Sequence, residues 1–293
     1  GTFEFGGGGT NTPILFFSRR IGFNNNQTVP IRAGGRLTGK AGKYTVGVLS
    51  LQTAESELAA AEATNFSVVR VKRDVLRRSS IGLLATSRAP AANGRASNQA
   101  FGADAAFTFF QDLDLNGYYA RTRTPDLEGD EASYQAKLSY AADRYGVELE
   151  RLKVGDAFNP EIGFLRRTNF HRDYGQLRFS PRPRNVPGVR KIAWEAGLER
   201  IASGRGMLEN REALGTFRVE FKSGDAANLN YAADYEFLAK PFAIAPGIVV
   251  PAGGYDYHEV RANYLLGPQR RFGGNGAVNF VRGTFYDGDR TVV

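Results

Sequence analysis

The stretch "AFGADAAFTFFQDLDLNGYYARTRT" (residues 100–124) alternates between apolar side chains and small or polar ones with a period of two. Its first half places Phe101 and Phe109 on one face and Asp104 and Thr108 on the other. Past a polar break, the alternation resumes. This period is typical of β-strands, so the stretch predicts a long hairpin with one apolar and one polar face. The fold depends on whether the apolar face meets a protein core or lipid.

Similar two-faced segments follow one another through most of the 293-residue chain. Gly (35 residues) and aromatic residues (12%) are abundant, which suits β-structure because aromatic side chains favour strands and Gly favours turns and bends. We predict fourteen strands. They lie at residues 31–41, 43–54, 65–72, 79–88, 100–111, 113–124, 132–142, 145–155, 170–180, 190–202, 210–222, 226–240, 256–266 and 276–287.

Short and long connections tend to alternate between these strands. The connections at 40–43 and 142–145 are tight, whereas those at 89–99 and 156–169 are long. Barrels of the outer membrane show this asymmetry, with short periplasmic turns and longer outer loops. Within another long connection, 55–64, the Ala and Glu content predicts a short helix.

Strand length and charge favour lipid over a soluble core. Many predicted strands reach eleven residues, whereas strands of soluble proteins have about 5–6 residues and a tilted bilayer crossing needs about 10. The polar faces carry many ions, which a water-filled lumen can hold but a sandwich interior would desolvate at high cost. Tyrosines near strand ends suit a membrane interface. They are Tyr44, Tyr118, Tyr119, Tyr134, Tyr145, Tyr257 and Tyr264. A large soluble sandwich or a propeller is the alternative.

We therefore predict an all-β protein, an antiparallel up-and-down transmembrane β-barrel of the bacterial outer membrane, with membrane lipid as its partner. About 14 strands lie in this chain, and we expect 16 or more in the native protein. Residues 1–30 form an N-terminal segment leading into the barrel, and residues 31–293 form the barrel domain. Because a lipid-facing sheet cannot leave an edge unpaired, we expect that domain to be truncated at both ends in this sequence.

Charged side chains on the inward faces are candidates for a lumen lining. The net charge of +8 predicts a basic lumen that favours anions. The first functional hypothesis is a pore or transport component. The second is a non-conducting membrane anchor or scaffold for a partner complex or a carbohydrate-binding-like domain. The candidate lumen residues are Lys137, Glu148, Glu150, Glu195, Arg218, Glu220, Lys222, Asp234 and Glu236.

The long connection after the eighth predicted strand contains "FNPEIGFLRR" (158–167), which is unusually apolar for a loop. Two interpretations remain open. The loop folds over or into the barrel, or it is a docking surface for another envelope protein or for the carbohydrate-binding-like domain. The candidate partner residues are Phe158, Ile162, Phe164 and Leu165.

Other chemistry has little support in the sequence. The chain has no Cys and two His, so we predict no metal and no cofactor. An envelope hydrolase is a third hypothesis, because His171 and Asp173 would share a strand face, but no nucleophile accompanies them and we name no catalytic residue. Lys and Arg are spread along the chain rather than concentrated in one patch, so we predict no nucleic-acid partner.

Four stretches resemble a bacterial envelope family. They are "ILFFSRRIGF" (14–23), "VPIRAGGRLTGKAGKYTVGVLSLQT" (29–53), "NFSVVRVKRDVLRRSSIGLLATSR" (65–88) and "FNPEIGFLRR" (158–167). Members join an N-terminal carbohydrate-binding-like β-sandwich to a C-terminal domain of unknown function, thought to be an outer-membrane barrel. The resemblance implies that this chain is the barrel part, and it supplies no catalytic residue.

Overall fold

The computed structural model describes residues 1–292 except 7, 10, 91–96, 268–276 and 286–287. These residues form one short 3-10 turn, Ser18–Arg20, and nineteen strands. The strands are β1 (Phe23–Asn24), β2 (Gln27–Thr28), β3 (Ile31–Ala41), β4 (Tyr44–Thr53), β5 (Thr64–Leu76), β6 (Ser79–Pro90), β7 (Asn98–Phe109), β8 (Leu113–Arg123), β9 (Ala132–Ala141), β10 (Tyr145–Val154), β11 (Phe170–Phe179), β12 (Val189–Ser203), β13 (Leu208–Phe221), β14 (Ala226–Leu238), β15 (Phe242–Ala245), β16 (Ile248–Val250), β17 (Gly253–Leu265), β18 (Ala277–Phe285) and β19 (Gly288–Val292). Within the described residues, no helix has the length and hydrophobicity that a membrane crossing requires.

The chain divides into two compact units. Unit 1 consists of Gly1–Leu138 and Arg151–His171, and unit 2 of Ser139–Glu150 and Arg172–Val293. In unit 1 the strands β3 to β8 pair in chain order, each antiparallel to the next. In unit 2 the antiparallel order is β12, β13, β14, β17, β18 and β19, with the separate β15–β16 hairpin inserted between β14 and β17.

These ladders confirm the predicted all-β class and the antiparallel up-and-down order. The fourteen predicted strands correspond to β3–β14, β17 and β18, and β19 is a fifteenth. The hairpin β7–β8 shows why the prediction succeeds. Its register pairs Phe109 with Leu113 and Phe101 with Arg121, so the alternating apolar residues of both strands point to one side. The division at residue 30 stays a prediction.

Two sequence predictions are wrong in detail. Residues 55–64 do not form a helix, because Ser56 and Ala61 make an antiparallel bridge and Ala60 takes a positive φ of 46° that interrupts any helical run. A short isolated segment gains too few hydrogen bonds to nucleate a helix. Tyr118, expected at a membrane interface, is instead buried in unit 1, and Tyr257 lies beside Asp234, its pairing partner in unit 2.

The core of unit 1 lies on one face of its ladder, which we call the covered face. Val68, Leu84, Ala100 and Ala120 point to this face and are fully buried. The opposite face of each unit carries exposed hydrophobic side chains and is called the apolar face of that unit.

Candidate functional site

The charged side chains of unit 2 form rows across its strands. Directly paired residues of an antiparallel ladder point to the same side. Glu195 pairs with Thr216, which pairs with Asn230, which pairs with Arg261. Another row on the same side, four residues along β12, starts with the pair formed by Glu199 and Glu212. We call this side the polar face of unit 2.

Arg172 links two strands of the polar face through two carboxylates. Its guanidinium donates to Glu150 Oε1 at 2.8 Å and to Glu199 Oε2 at 2.6 Å. The Arg172 side chain is 18% exposed and that of Glu150 is 8% exposed. A guanidinium shared by two carboxylates is fully neutralised, so this cluster leaves one negative charge in surplus. The Arg172 guanidinium also lies over the Tyr174 ring, 5.2 Å from its centroid.

Amides and hydroxyls extend the same face on either side of the charge rows. Gln176 donates to Glu195 at 3.5 Å, and Thr216 donates to Asn230 at 2.9 Å. Arg218 donates to Glu220 and to Asn228, at 3.2 Å each. These contacts join polar side chains of neighbouring strands on this face.

Most of the predicted lumen residues lie together on this face. The alternation in their strands and the registers above place Glu148, Glu150, Glu195, Arg218, Glu220, Asp234 and Glu236 there. Lys222 lies in the turn after β13, and Lys137 belongs to unit 1, on β9. That these residues line a lumen stays a prediction.

In unit 1 the N-terminal segment, by which we mean the described residues of the range 1–21, packs against the covered face. The Phe5 ring lies 5.4 Å from that of Tyr118, and the Gly6 amide donates to Asp104 at 3.4 Å. Gln135 donates to the Thr12 hydroxyl at 3.3 Å. The segment thus contacts both β7 and β9.

A buried ion pair lies beneath this segment. Arg70 is 2% exposed and donates to both oxygens of Asp104, at 2.5 and 2.8 Å. Phe5 covers the guanidinium, with its ring centroid 5.6 Å away. Gly82 leaves the space for the pair, because a Cβ there would lie 2.6 Å from one guanidinium nitrogen and 2.7 Å from a carboxylate oxygen.

The apolar loop, residues 158–167, lies with the N-terminal segment over the covered face. We call these two segments together the cover of unit 1. Phe158 and Ile162 are buried, and Phe164 forms an antiparallel bridge with Ile14 of the N-terminal segment. Leu165 borders a 650 Å³ cavity. This arrangement favours the interpretation that the loop folds over the sheet. Phe158 and Ile162 have no surface to offer a partner in this conformation, and docking through Phe164 and Leu165 stays a prediction.

The sequence analysis did not predict the cover, although two glycines within strands indicate that another group approaches closely there. Gly47 and Gly102 sit inside strands and belong to one row of the covered face. Added Cβ atoms there would meet the rings of Phe3 and Phe5. Glycine within a strand often marks a site where another group approaches closely, and that signal could have found the contact.

The hairpins at one end of unit 2 carry a second charged cluster. Arg182 donates to both oxygens of Asp143, at 3.0 and 2.7 Å, and this contact holds the pKa of Asp143 below its ordinary value. Lys191 lies 3.9 Å from the same carboxylate. Arg178 donates to the backbone carbonyls of Asp143 and Ala142.

His171 and Asp173 both lie on β11, and a reaction that uses them stays a prediction. Among the described residues, no group of three or more potential ligands could hold a metal ion. His258 lies on the apolar face of unit 2, where its Nδ1 is 3.0 Å from the Tyr231 hydroxyl.

No known family and no curated protein matches the sequence. Among solved structures, the chain is similar to OccK8 (OprE) of Pseudomonas aeruginosa, with a TM-score of 0.42 and 11% sequence identity over 88% of this chain and 77% of that one. A likeness of this size supports no conclusion about function. The resemblance to the sandwich-and-barrel envelope family stays a prediction.

Proposed function

We propose that the chain is an outer-membrane β-barrel whose apolar faces contact lipid and whose polar face borders a water-filled lumen, and that it acts as a pore or transport component. The observation that carries the proposal is the exposure of large hydrophobic side chains on the apolar faces. Leu83 and Phe101 of unit 1 are 62% and 55% exposed, and Leu177 and Leu198 of unit 2 are 58% and 50% exposed. Contiguous apolar surface of this kind marks an interaction surface, and a membrane is the partner that covers long alternating strands.

Closure of the sheet is part of the proposal. Strand β3 lies at the edge of the unit 1 ladder. In hydrocarbon, each unpaired backbone group at such an edge costs several kcal/mol. A lipid-embedded form therefore needs a partner strand for β3, from this chain or from further strands of the native protein.

The charge of the polar face sets the expected selectivity. On the polar face of unit 2, the acidic side chains that the structure describes outnumber the basic ones. The acidic members are Glu148, Glu150, Glu195, Glu199, Glu212, Glu220, Asp234, Glu236 and Glu259, and the basic members are Arg172, Arg178, Lys191, Arg218 and Arg261. A lumen lined by this face attracts cations, whereas the net charge of the whole chain predicts anions.

Planar-bilayer conductance tests this proposal. We expect the purified protein to form channels whose reversal potential in a KCl gradient shows a preference for K⁺. Glu195→Gln should reduce the preference, because it removes a charge from the polar face. Asp256→Asn is the matched control, since Asp256 pairs with Arg211 on the opposite face.

Each outcome addresses a different part of the proposal. Protein that washes off vesicles in urea refutes the membrane barrel. Stably inserted protein without conductance refutes the pore and leaves the anchor. Equal effects of the two substitutions refute the assignment of the polar face to the lumen.

The covered face of unit 1 favours the second candidate, a non-conducting anchor. The N-terminal segment and the apolar loop fill this face, as a seal would. A disulfide between the N-terminal segment and the apolar loop, which can be formed and then reduced, distinguishes the pore from the anchor. Ile14 and Phe164 exchange both backbone hydrogen bonds, at 2.9 and 2.8 Å, a pairing whose Cα separation of about 5.5 Å suits a disulfide.

Because the chain has no Cys, Ile14→Cys with Phe164→Cys introduces a single defined bridge. If the cover gates a pore, conductance rises when the bridge is reduced. If the protein is an anchor, neither the oxidised nor the reduced form shows conductance. Equal conductance in both forms shows a pore that the cover does not gate.

A further inference from the structure

The apolar face of unit 2 contains a groove lined by aromatic rings. Tyr145, Phe179, Trp194 and Phe217 lie side by side on four strands, with successive ring centroids 5.4, 5.7 and 5.6 Å apart. The groove measures about 630 Å³ and is lined almost entirely by apolar atoms. A groove of this kind holds an extended hydrocarbon chain more closely than the flat surface of a lipid-facing strand does.

Arg144 stands at one end of the groove. Its guanidinium lies over two of the rings, 5.4 Å from the centroid of Tyr145 and 5.3 Å from that of Phe179. The residue is exposed, and among the described residues its side chain has no hydrogen bond or ion pair. The two ring contacts hold the guanidinium beside the aromatic groove, and its exposure leaves it accessible to an anion.

The charges around Arg144 make this end of the groove positive. Asp143, the adjacent acid, is held by both guanidinium contacts from Arg182 and has Lys191 nearby. The negative charge next to Arg144 is therefore already neutralised.

We propose that Arg144 and the aromatic groove bind one anionic phospholipid, with the phosphate on the guanidinium and an acyl chain along the rings past Trp194. The inference rests on the proposed membrane location. Arginine presents a planar fork that matches phosphate oxygens, and aromatic side chains at a bilayer interface suit the boundary between headgroup and acyl chain. The turn before Tyr145 is a short one, so the lipid belongs to the leaflet at the short-turn side.

Fluorescence quenching tests the site directly, because Trp194 is the single tryptophan of the chain and lines the groove. The protein is reconstituted in phosphatidylcholine vesicles that contain a small fraction of phosphatidylglycerol, and either lipid carries brominated acyl chains. One basic group near a membrane surface favours an anionic lipid by about fivefold. We expect brominated phosphatidylglycerol to quench Trp194 about fivefold more effectively per mole than brominated phosphatidylcholine.

Variants assign the preference to Arg144. Arg144→Gln should abolish it, and Arg144→Lys should retain part of it because the charge stays but the planar fork is lost. Arg205→Gln, in the hairpin between β12 and β13, removes the same charge away from the groove and should keep the full preference.

The failures of the two proposals can be told apart. If neither brominated lipid quenches Trp194, the apolar face does not contact acyl chains and the membrane location fails. If both quench equally, the face contacts lipid but the specific site is refuted. A preference that survives Arg144→Gln also refutes the site. Quenching that appears only after dilution of the protein within the bilayer identifies a second copy of the chain as the occupant and likewise refutes it.

Discussion

Replacing Asp104 by Asn tests whether the buried ion pair holds unit 1 together. The substitution keeps the size of the side chain and removes its charge. Arg70, 2% exposed, then stays charged without a counter-ion beneath Phe5. The Arg70 Nε atom already lacks a hydrogen-bond partner among the described residues, so no second hydrogen bond at Nε compensates for the lost carboxylate.

Removing one partner of a buried pair costs about 3–5 kcal/mol, whereas replacing both by apolar residues is often neutral. We therefore expect Asp104→Asn to lower the free energy of unfolding by at least about 3 kcal/mol. Arg70→Met combined with Asp104→Leu should recover most of that loss. Urea unfolding in lipid vesicles, followed by the fluorescence of Trp194, measures both variants. A loss below about 1 kcal/mol for the single variant, or a double variant as unstable as the single one, would refute the reasoning.

Two further predictions concern the N-terminal cover and the hairpin contacts of unit 2. Gly102→Ala puts a methyl group where a ring of the N-terminal segment lies, so we expect the free energy of unfolding in urea to fall by about 1–3 kcal/mol. Gly215→Ala, which has nothing within 4 Å, is the control and should change that free energy by about 0.5 kcal/mol or less. Equal losses in the two variants would contradict the prediction. Because Arg182 lowers the pKa of Asp143 from its ordinary 3.8, their contact is complete above that pH and is lost as the pH falls through the lowered value. A spin label at Arg184→Cys should therefore gain mobility only below about pH 3.8, and in Asp143→Asn it should be mobile at every pH; a label equally immobile in both proteins would contradict the prediction.

The strands could be predicted from the sequence because each one alternates over its own length. In β13, Phe217 and Val219 alternate with Arg218 and Glu220, and a single strand is enough to show both faces. Pairing then follows chain order, since consecutive antiparallel strands need only a short turn. The local pattern thus determines most of the fold.

The cover of unit 1 could not be predicted in the same way, because its contacts join residues far apart in the chain. Phe5 meets Tyr118, and Thr12 meets Gln135. The first thirty residues have no period of their own, so nothing in them indicates which face they pack against. The error at Tyr118 has the same origin. Its hydroxyl lies 3.0 Å from that of Ser133 and its ring packs on Phe5, which makes it a core residue instead of an interface residue.

That the lumen is basic stays a prediction, and net charge is a weak basis for it because net charge adds together groups that face different surroundings. In unit 2 the carboxylates gather on the polar face, as in the row of Glu199, Glu212 and Asp234, whereas free and loop arginines such as Arg144 and Arg182 lie at the hairpins. Salt screens exposed charges beyond about 10 Å, so groups at a hairpin have little influence on an ion deep within a lumen. A basic chain can therefore surround an acidic passage. The two proposals place ion selectivity and lipid preference on separate sets of residues, so a substitution at one set should leave the other property unchanged.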